Sequence, residues 1–64
     1  NDKYPPSDFM VGVIVEDDVV IGLGSKILAG ITLRKGSFIA QGSNVVKNTE
    51  PNGKYKGNPA RRYA

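Results

Sequence analysis

The chain has 64 residues, 39% of them hydrophobic, a net charge of +3, and neither cysteine nor histidine. That length allows one domain or part of one, with only a small core. It offers no disulfide staple and no thiolate metal ligand, and it lacks the commonest general base and zinc ligand, so no metal is expected. The longest apolar runs are no longer than Val19-Val20-Ile21, which rules out a membrane-spanning helix. No signal peptide is visible, and the default location is cytoplasmic.

Residues 1–8 read as a loop, because Pro5 and Pro6 fix φ and bar a helix. From residue 9 to residue 48 a large apolar side chain returns at every sixth position: Phe9, Val15, Ile21, Ile27, Leu33, Ile39 and Val45. Three residues after successive rungs comes a turn column, Asp18, Gly24, Gly30, Gly36, Gly42 and Asn48. One position further comes a mostly small column, Val19, Ser25, Ile31, Ser37, Ser43 and Thr49. A period of six fits neither the 3.6 of a helix nor long two-fold alternation. It fits a short strand and a sharp turn, repeated, with positive φ at Gly, Asn or Asp. The expected fold is all-β, a parallel β-helix of about two coils whose rungs fill a narrow prism.

Residues 49–64 are expected to be an irregular loop and basic tail. Pro51, Asn52-Gly53 and Gly57-Asn58-Pro59 are turn formers, and residues 60–64 either turn helical or trail away. Two coils with open ends are under-stabilised alone, so an oligomer or a piece of a longer protein is expected. Asn1 in place of Met fits such a piece.

Charge is unevenly placed. Residues 1–46 carry four cations against five anions, whereas Lys47, Lys54, Lys56, Arg61 and Arg62 face Glu50 alone. A cationic patch on a near-neutral body suits a small polyanion such as a phosphate-bearing cofactor. Few aromatic groups alternate with these charges, so nucleic acid is not the expected partner. The run Glu16-Asp17-Asp18 straddles a turn and reads as a solvated corner, because one turn cannot set carboxylates across a cleft.

Three segments together resemble the C-terminal end of the hexapeptide-repeat acyltransferases. They are the repeat over residues 15–47, the stretch Ile39-Ala40-Gln41-Gly42-Ser43-Asn44-Val45-Val46-Lys47, and the loop Lys56-Gly57-Asn58-Pro59-Ala60-Arg61. The resemblance implies a left-handed β-helix, against the usual right-handed crossover. It also implies acetyl-CoA as acyl donor, bound in a groove between subunits of a trimer, and transfer to a sugar amine or hydroxyl. Carried over by position, Leu23 and Gln41 offer backbone groups to the pantetheine arm, Val46 and Lys47 lie further along it, and Arg61 meets the CoA phosphates. Asn1-Asp2-Lys3-Tyr4-Pro5 is similar to a loop of the members that acylate nucleotide-linked amino sugars. On that reading Asn1 and Tyr4 bind the acceptor and Asp2 steers the amine or takes its proton.

Many members use a histidine base, and this chain has none. The base then lies on another coil, a free amine attacks the thioester without one, or the chain is an inactive β-helical structural or binding module. A carbonic anhydrase of the same family would need three histidines for zinc.

Overall fold

The structure is a computed structural model, and it describes residues 12–64. Every regular element among them is a strand. The first six are two residues long: β1 (Ile14–Val15), β2 (Val20–Ile21), β3 (Lys26–Ile27), β4 (Thr32–Leu33), β5 (Phe38–Ile39) and β6 (Asn44–Val45). They pair in parallel as β1 with β4, β2 with β5 and β3 with β6. Each register step is three hexads, or 18 residues, as in Ile14 to Thr32, Val20 to Phe38 and Lys26 to Asn44. Three faces and two coils follow directly, as the period of six requires. The coil is left-handed.

The rung residue is the second of each strand, so alternation across the strand turns it inward. Ile27, Leu33, Ile39 and Val45 are buried, and with Ile31 they form the core. Val15 remains 42% exposed and Ile21 is half-buried. Phe9, the first rung of the ladder, lies outside the described residues, as does the loop expected over residues 1–8.

The turn column behaves as its residue types demand, up to one position. Asp18, Gly24, Gly30, Gly36 and Gly42 all take positive φ. Asn48 does not. Its side chain bonds across the coil instead, with Oδ1 accepting from Thr32 N at 2.8 Å. The next corner, over Gly36, is again left-handed, at Asn52 (φ 62°); it comes two residues short of the hexad because the third coil is shortened: Phe38 pairs with Lys54, a step of 16 rather than 18.

The polar members of the small column, Ser25, Ser37, Ser43 and Thr49, are buried and hydrogen-bonded. Ser25 Oγ and Ser43 Oγ both donate to Ala40 O, at 3.0 and 2.6 Å. Ser37 Oγ lies 2.6 Å from Arg34 O and 2.7 Å from Thr49 Oγ1, which itself accepts from Arg34 N at 2.8 Å. Small side chains let the prism turn its corners, and the hydroxyls satisfy backbone groups that the corners remove from the ladders.

The tail is not irregular. β7 (Lys54–Gly57) stacks in parallel on β5, and β8 (Ala60–Arg62) returns antiparallel to it. The segment expected to trail away therefore closes the solenoid as a hairpin. Tyr55 and Ala60 lay their side chains against the core, and this burial, which sequence spacing does not announce, orders the tail.

Candidate functional site

The corner between the second and third faces carries Leu23 and, one coil on, Gln41. Leu23 is 89% exposed, where a core role would bury it. Its carbonyl accepts from Gly42 N at 2.9 Å, so the two turns are locked one over the other. Gly22 sits so close to the next coil that a Cβ there would strike the Gln41 and Ala40 backbone. Among the described residues, the N–H groups of Leu23 and Gln41 and the Gln41 carbonyl make no backbone hydrogen bond. The corner thus presents a short column of unused peptide groups to solvent.

The hairpin tip reaches this corner. β7 runs on past the second face, turns through the cis Asn58–Pro59 bond, and comes back as β8. At the tip Asn44 Nδ2, on β6, donates to Asn58 Oδ1 at 3.1 Å. Lys56 pairs with Arg61 and Tyr55 with Arg62. Side chains of paired residues share one side of a ribbon, so Lys56 and Arg61 stand on one side and Tyr55 and Arg62 on the other. Lys56 Nζ lies 4.8 Å from the centroid of the Tyr63 ring, within cation–π range.

A concavity lies at the C-terminal end of the prism. A cleft of about 280 Å³ is lined by Val45, Lys47, Asn48, Glu50, Tyr55, Ala60, Arg61 and Arg62. Its floor is apolar and its rim carries three cations and one carboxylate. Tyr55 Oη accepts from Glu50 N at 2.7 Å, which ties the turn at residue 50 to the hairpin and leaves the phenol proton free to donate. The one ion pair among the described residues is elsewhere, Arg34 Nε to Glu16 Oε1 at 3.2 Å. Glu16 also accepts from Lys35 N at 2.9 Å, so the acidic run expected to be a solvated corner includes a link between coils. No group of three metal-binding side chains occurs among the described residues.

The five expected donor-binding residues therefore fall in two places. Leu23 and Gln41 share a corner. Lys47 and Arg61 share the end cleft, with Val46 half-buried beside Lys47. Asn1, Asp2 and Tyr4 lie outside the described residues. Arg62, a possible helper of Arg61 on the sequence reading, lines the cleft, as does Tyr55, which the sequence does not mark. The signal for Arg62 was the same basic tail that marked Arg61, but its placement needed the hairpin register.

No protein-family profile matches the chain. It is 49% identical over 57 residues, 89% of its own length, to a 2,3,4,5-tetrahydropyridine-2,6-dicarboxylate N-acetyltransferase of Alkaliphilus metalliredigens, and covers 23% of that protein. Its fold superposes on the crystal structure of a maltose O-acetyltransferase from Clostridium difficile 630 with a TM-score of 0.78 and 35% identity, over 94% of this chain and 37% of that one. Over most of its length the chain is similar to hexapeptide-repeat acyltransferases. It spans about a quarter to a third of these relatives, in keeping with the C-terminal part that the tail motif marks. A mitochondrial gamma carbonic anhydrase 2 of Arabidopsis thaliana is also similar, 42% identical over 52 residues, 78% of this chain and 19% of that one. This chain has no histidine or cysteine with which to hold zinc. Among its described residues no helix is long and apolar enough to cross a membrane.

Proposed function

We propose that this chain is the donor-binding part of an acyltransferase that moves an acetyl group from acetyl-CoA to an amine or hydroxyl of a small acceptor. A sugar, including a nucleotide-linked amino sugar, is the acceptor class we favour. The observation that carries the reading is the exposed corner of Leu23 and Gln41, with its unused peptide groups, running toward the tip of a cationic hairpin. An extended pantetheine arm pairs with such groups as a strand would. Arginine forks and lysine ammonium groups suit the diphosphate and 3′-phosphate.

Placing Leu23 and Gln41 on one corner and Lys47 and Arg61 in the end cleft supports a composite site. One copy offers the peptide corner and its neighbour offers cations, as a trimer with grooves between subunits would arrange them. In the reaction the acceptor's lone pair attacks the thioester carbonyl, the C–S bond breaks, and the acceptor proton passes to the departing thiolate. For a free amine the protein supplies mainly proximity and orientation and donors for the oxyanion. Asp2 is the candidate to steer the amine, with Asn1 and Tyr4 on the acceptor side. We assign the protein to the cytoplasm, where acetyl-CoA and nucleotide-linked sugars are found together.

The test is calorimetric titration with acetyl-CoA on protein whose solution mass is measured in the same sample. Saturable binding by a trimer is the expected result. A well-folded trimer that binds no acetyl-CoA would instead identify a β-helical structural module, the reading that the missing histidine favours.

A further inference from the structure

Asn52-Gly53 is the chain's only Asn-Gly pair, and the fold uses it at the step where the coil shortens. Asn52 is exposed, at φ 62°, and its N–H donates to Lys35 O at 2.8 Å. Its side-chain carbonyl lies against Gly36, so closely that a Cβ at Gly36 would collide with it. Gly53 is buried and its N–H donates to Glu50 O at 3.1 Å. Its carbonyl in turn accepts from Phe38 N at 2.9 Å, the first backbone bond that seats β7 on β5.

An asparagine followed by glycine is open to spontaneous attack by the glycine nitrogen on its own side-chain carbonyl carbon. No Cβ hinders the approach, and the glycine backbone bends freely. The Gly53 N to Asn52 Cγ bond forms, the Cγ–Nδ2 bond breaks, and ammonia leaves with the proton that Gly53 N gives up. Water then opens the five-membered imide at one carbonyl or the other. One opening gives aspartate. The other gives isoaspartate, in which the backbone runs through the side chain and gains one carbon, about 1.5 Å of extra chain.

We propose that Asn52-Gly53 is a latent modification site, held unreactive while the hairpin is docked and converted once it opens, and that the isoaspartate product prevents redocking. The lock is geometric. A buried peptide nitrogen whose proton is held by Glu50 O is a poor nucleophile, and the Gly36 contact fixes the target carbonyl. Reaction must wait for local opening, as amide exchange does. The two products then differ. Aspartate keeps the backbone length and tolerates the left-handed conformation. Isoaspartate lengthens the one segment whose shortness sets the 16-residue step between Phe38 and Lys54. The hairpin carrying Arg61 and Arg62 would lose its seat, whatever ligand it serves.

Mass spectrometry of the tryptic segment between Lys47 and Lys54 follows the reaction, through the exchange of NH₂ for OH at residue 52. In native protein the rate should be at least about tenfold below that in urea, the factor given by an opening cost of about 1.4 kcal/mol. Equal rates would overturn the lock. Protein aged in urea and refolded is then separated into its aspartate and isoaspartate forms, and amide exchange is read at named positions. Phe38 and Ala40, which donate to Gly53 O and Tyr55 O, report the hairpin; Lys26 and Leu28, which donate to Ser43 O and Val45 O, report the coils. The isoaspartate form should lose protection at Phe38 and Ala40 and keep it at Lys26 and Leu28, while Asn52→Asp keeps all four. An isoaspartate form with Phe38 protected as in the parent would refute the second half. Failure of that form to refold at all would also refute it, since the damage would then not be confined to the hairpin.

Discussion

Gly36 and Gly42 occupy equivalent turns, yet a methyl group would be received differently at the two. Both have positive φ, 74° and 73°, so alanine at either pays the left-handed penalty of about 1–2 kcal/mol. At Gly42 the added carbon meets nothing within 4 Å, whereas at Gly36 it meets the Asn52 side chain. Gly36→Ala should therefore lower the urea midpoint more than Gly42→Ala, and Gly42→Asn should be milder than either. Equal losses at the two glycines would remove the Gly36–Asn52 contact from the account. Arg61 supports a prediction of another kind. If its guanidinium meets the 3′-phosphate, Arg61→Ala should weaken CoA by about tenfold or more, the value of one charge-assisted contact, and leave dephospho-CoA nearly unchanged. Calorimetry with the two ligands reads the difference. Equal losses would move Arg61 to the diphosphate or out of the site.

The strands are too short to hold themselves, so each element depends on what stands beside it. Two-residue strands gain stability only by stacking, and the corners between them survive because buried hydroxyls satisfy the displaced backbone groups. Thr49 shows the dependence most clearly. Its Oγ1 accepts from Arg34 N and pairs with Ser37 Oγ, joining the second coil to the segment that leads into the hairpin. Thr49→Val keeps shape and volume but orphans Arg34 N, while Ser37 Oγ keeps Arg34 O; the loss should cost about 1–3 kcal/mol, and Thr49→Ser should cost much less. Denaturant unfolding of the pair tests this, and a neutral Thr49→Val would mean that water replaces the hydroxyl. By contrast, the Glu16–Arg34 pair is half exposed on both sides, and such surface pairs contribute about 0–1 kcal/mol.

At the scale of the whole molecule, one row of rungs does most of the holding. Ile27, Leu33, Ile39 and Val45 are each no more than 2% exposed, and burial of such side chains is worth about 1.5–3 kcal/mol apiece. Ile27→Asp would set an unpaired carboxylate in that row, a cost the small core has no means to offset. Circular dichroism and solution mass should show an unfolded chain, and a folded Ile27→Asp protein would sink the rung assignment. The outward surface tells a different story. Ile14, Val20, Leu23 and Leu28 are all exposed, and the chain covers only part of each relative it matches. Apolar groups left outside the prism suit an interaction surface, as the proposed composite site would need.

The period of six was enough to settle the class of fold, because side-chain alternation and glycine turns are local rules that each hexad obeys without reference to the others. Leu33 and Ile39 had to point inward, and Gly24 and Gly30 had to turn, once the spacing was read. The cationic tail was equally legible as charge. Its shape was not: whether residues 54–62 pair with β5, and with which residue, depends on a two-residue shortening that no hexad announces and on Tyr55 finding the open end of the core. The same holds for the site. Leu23 and Gln41 stack because they are 18 residues apart, which the sequence contains. Lys47 and Arg61 line one cleft because a hairpin folds back over the prism's end, and only the tertiary structure, through the burial of Tyr55 and Ala60, decides that.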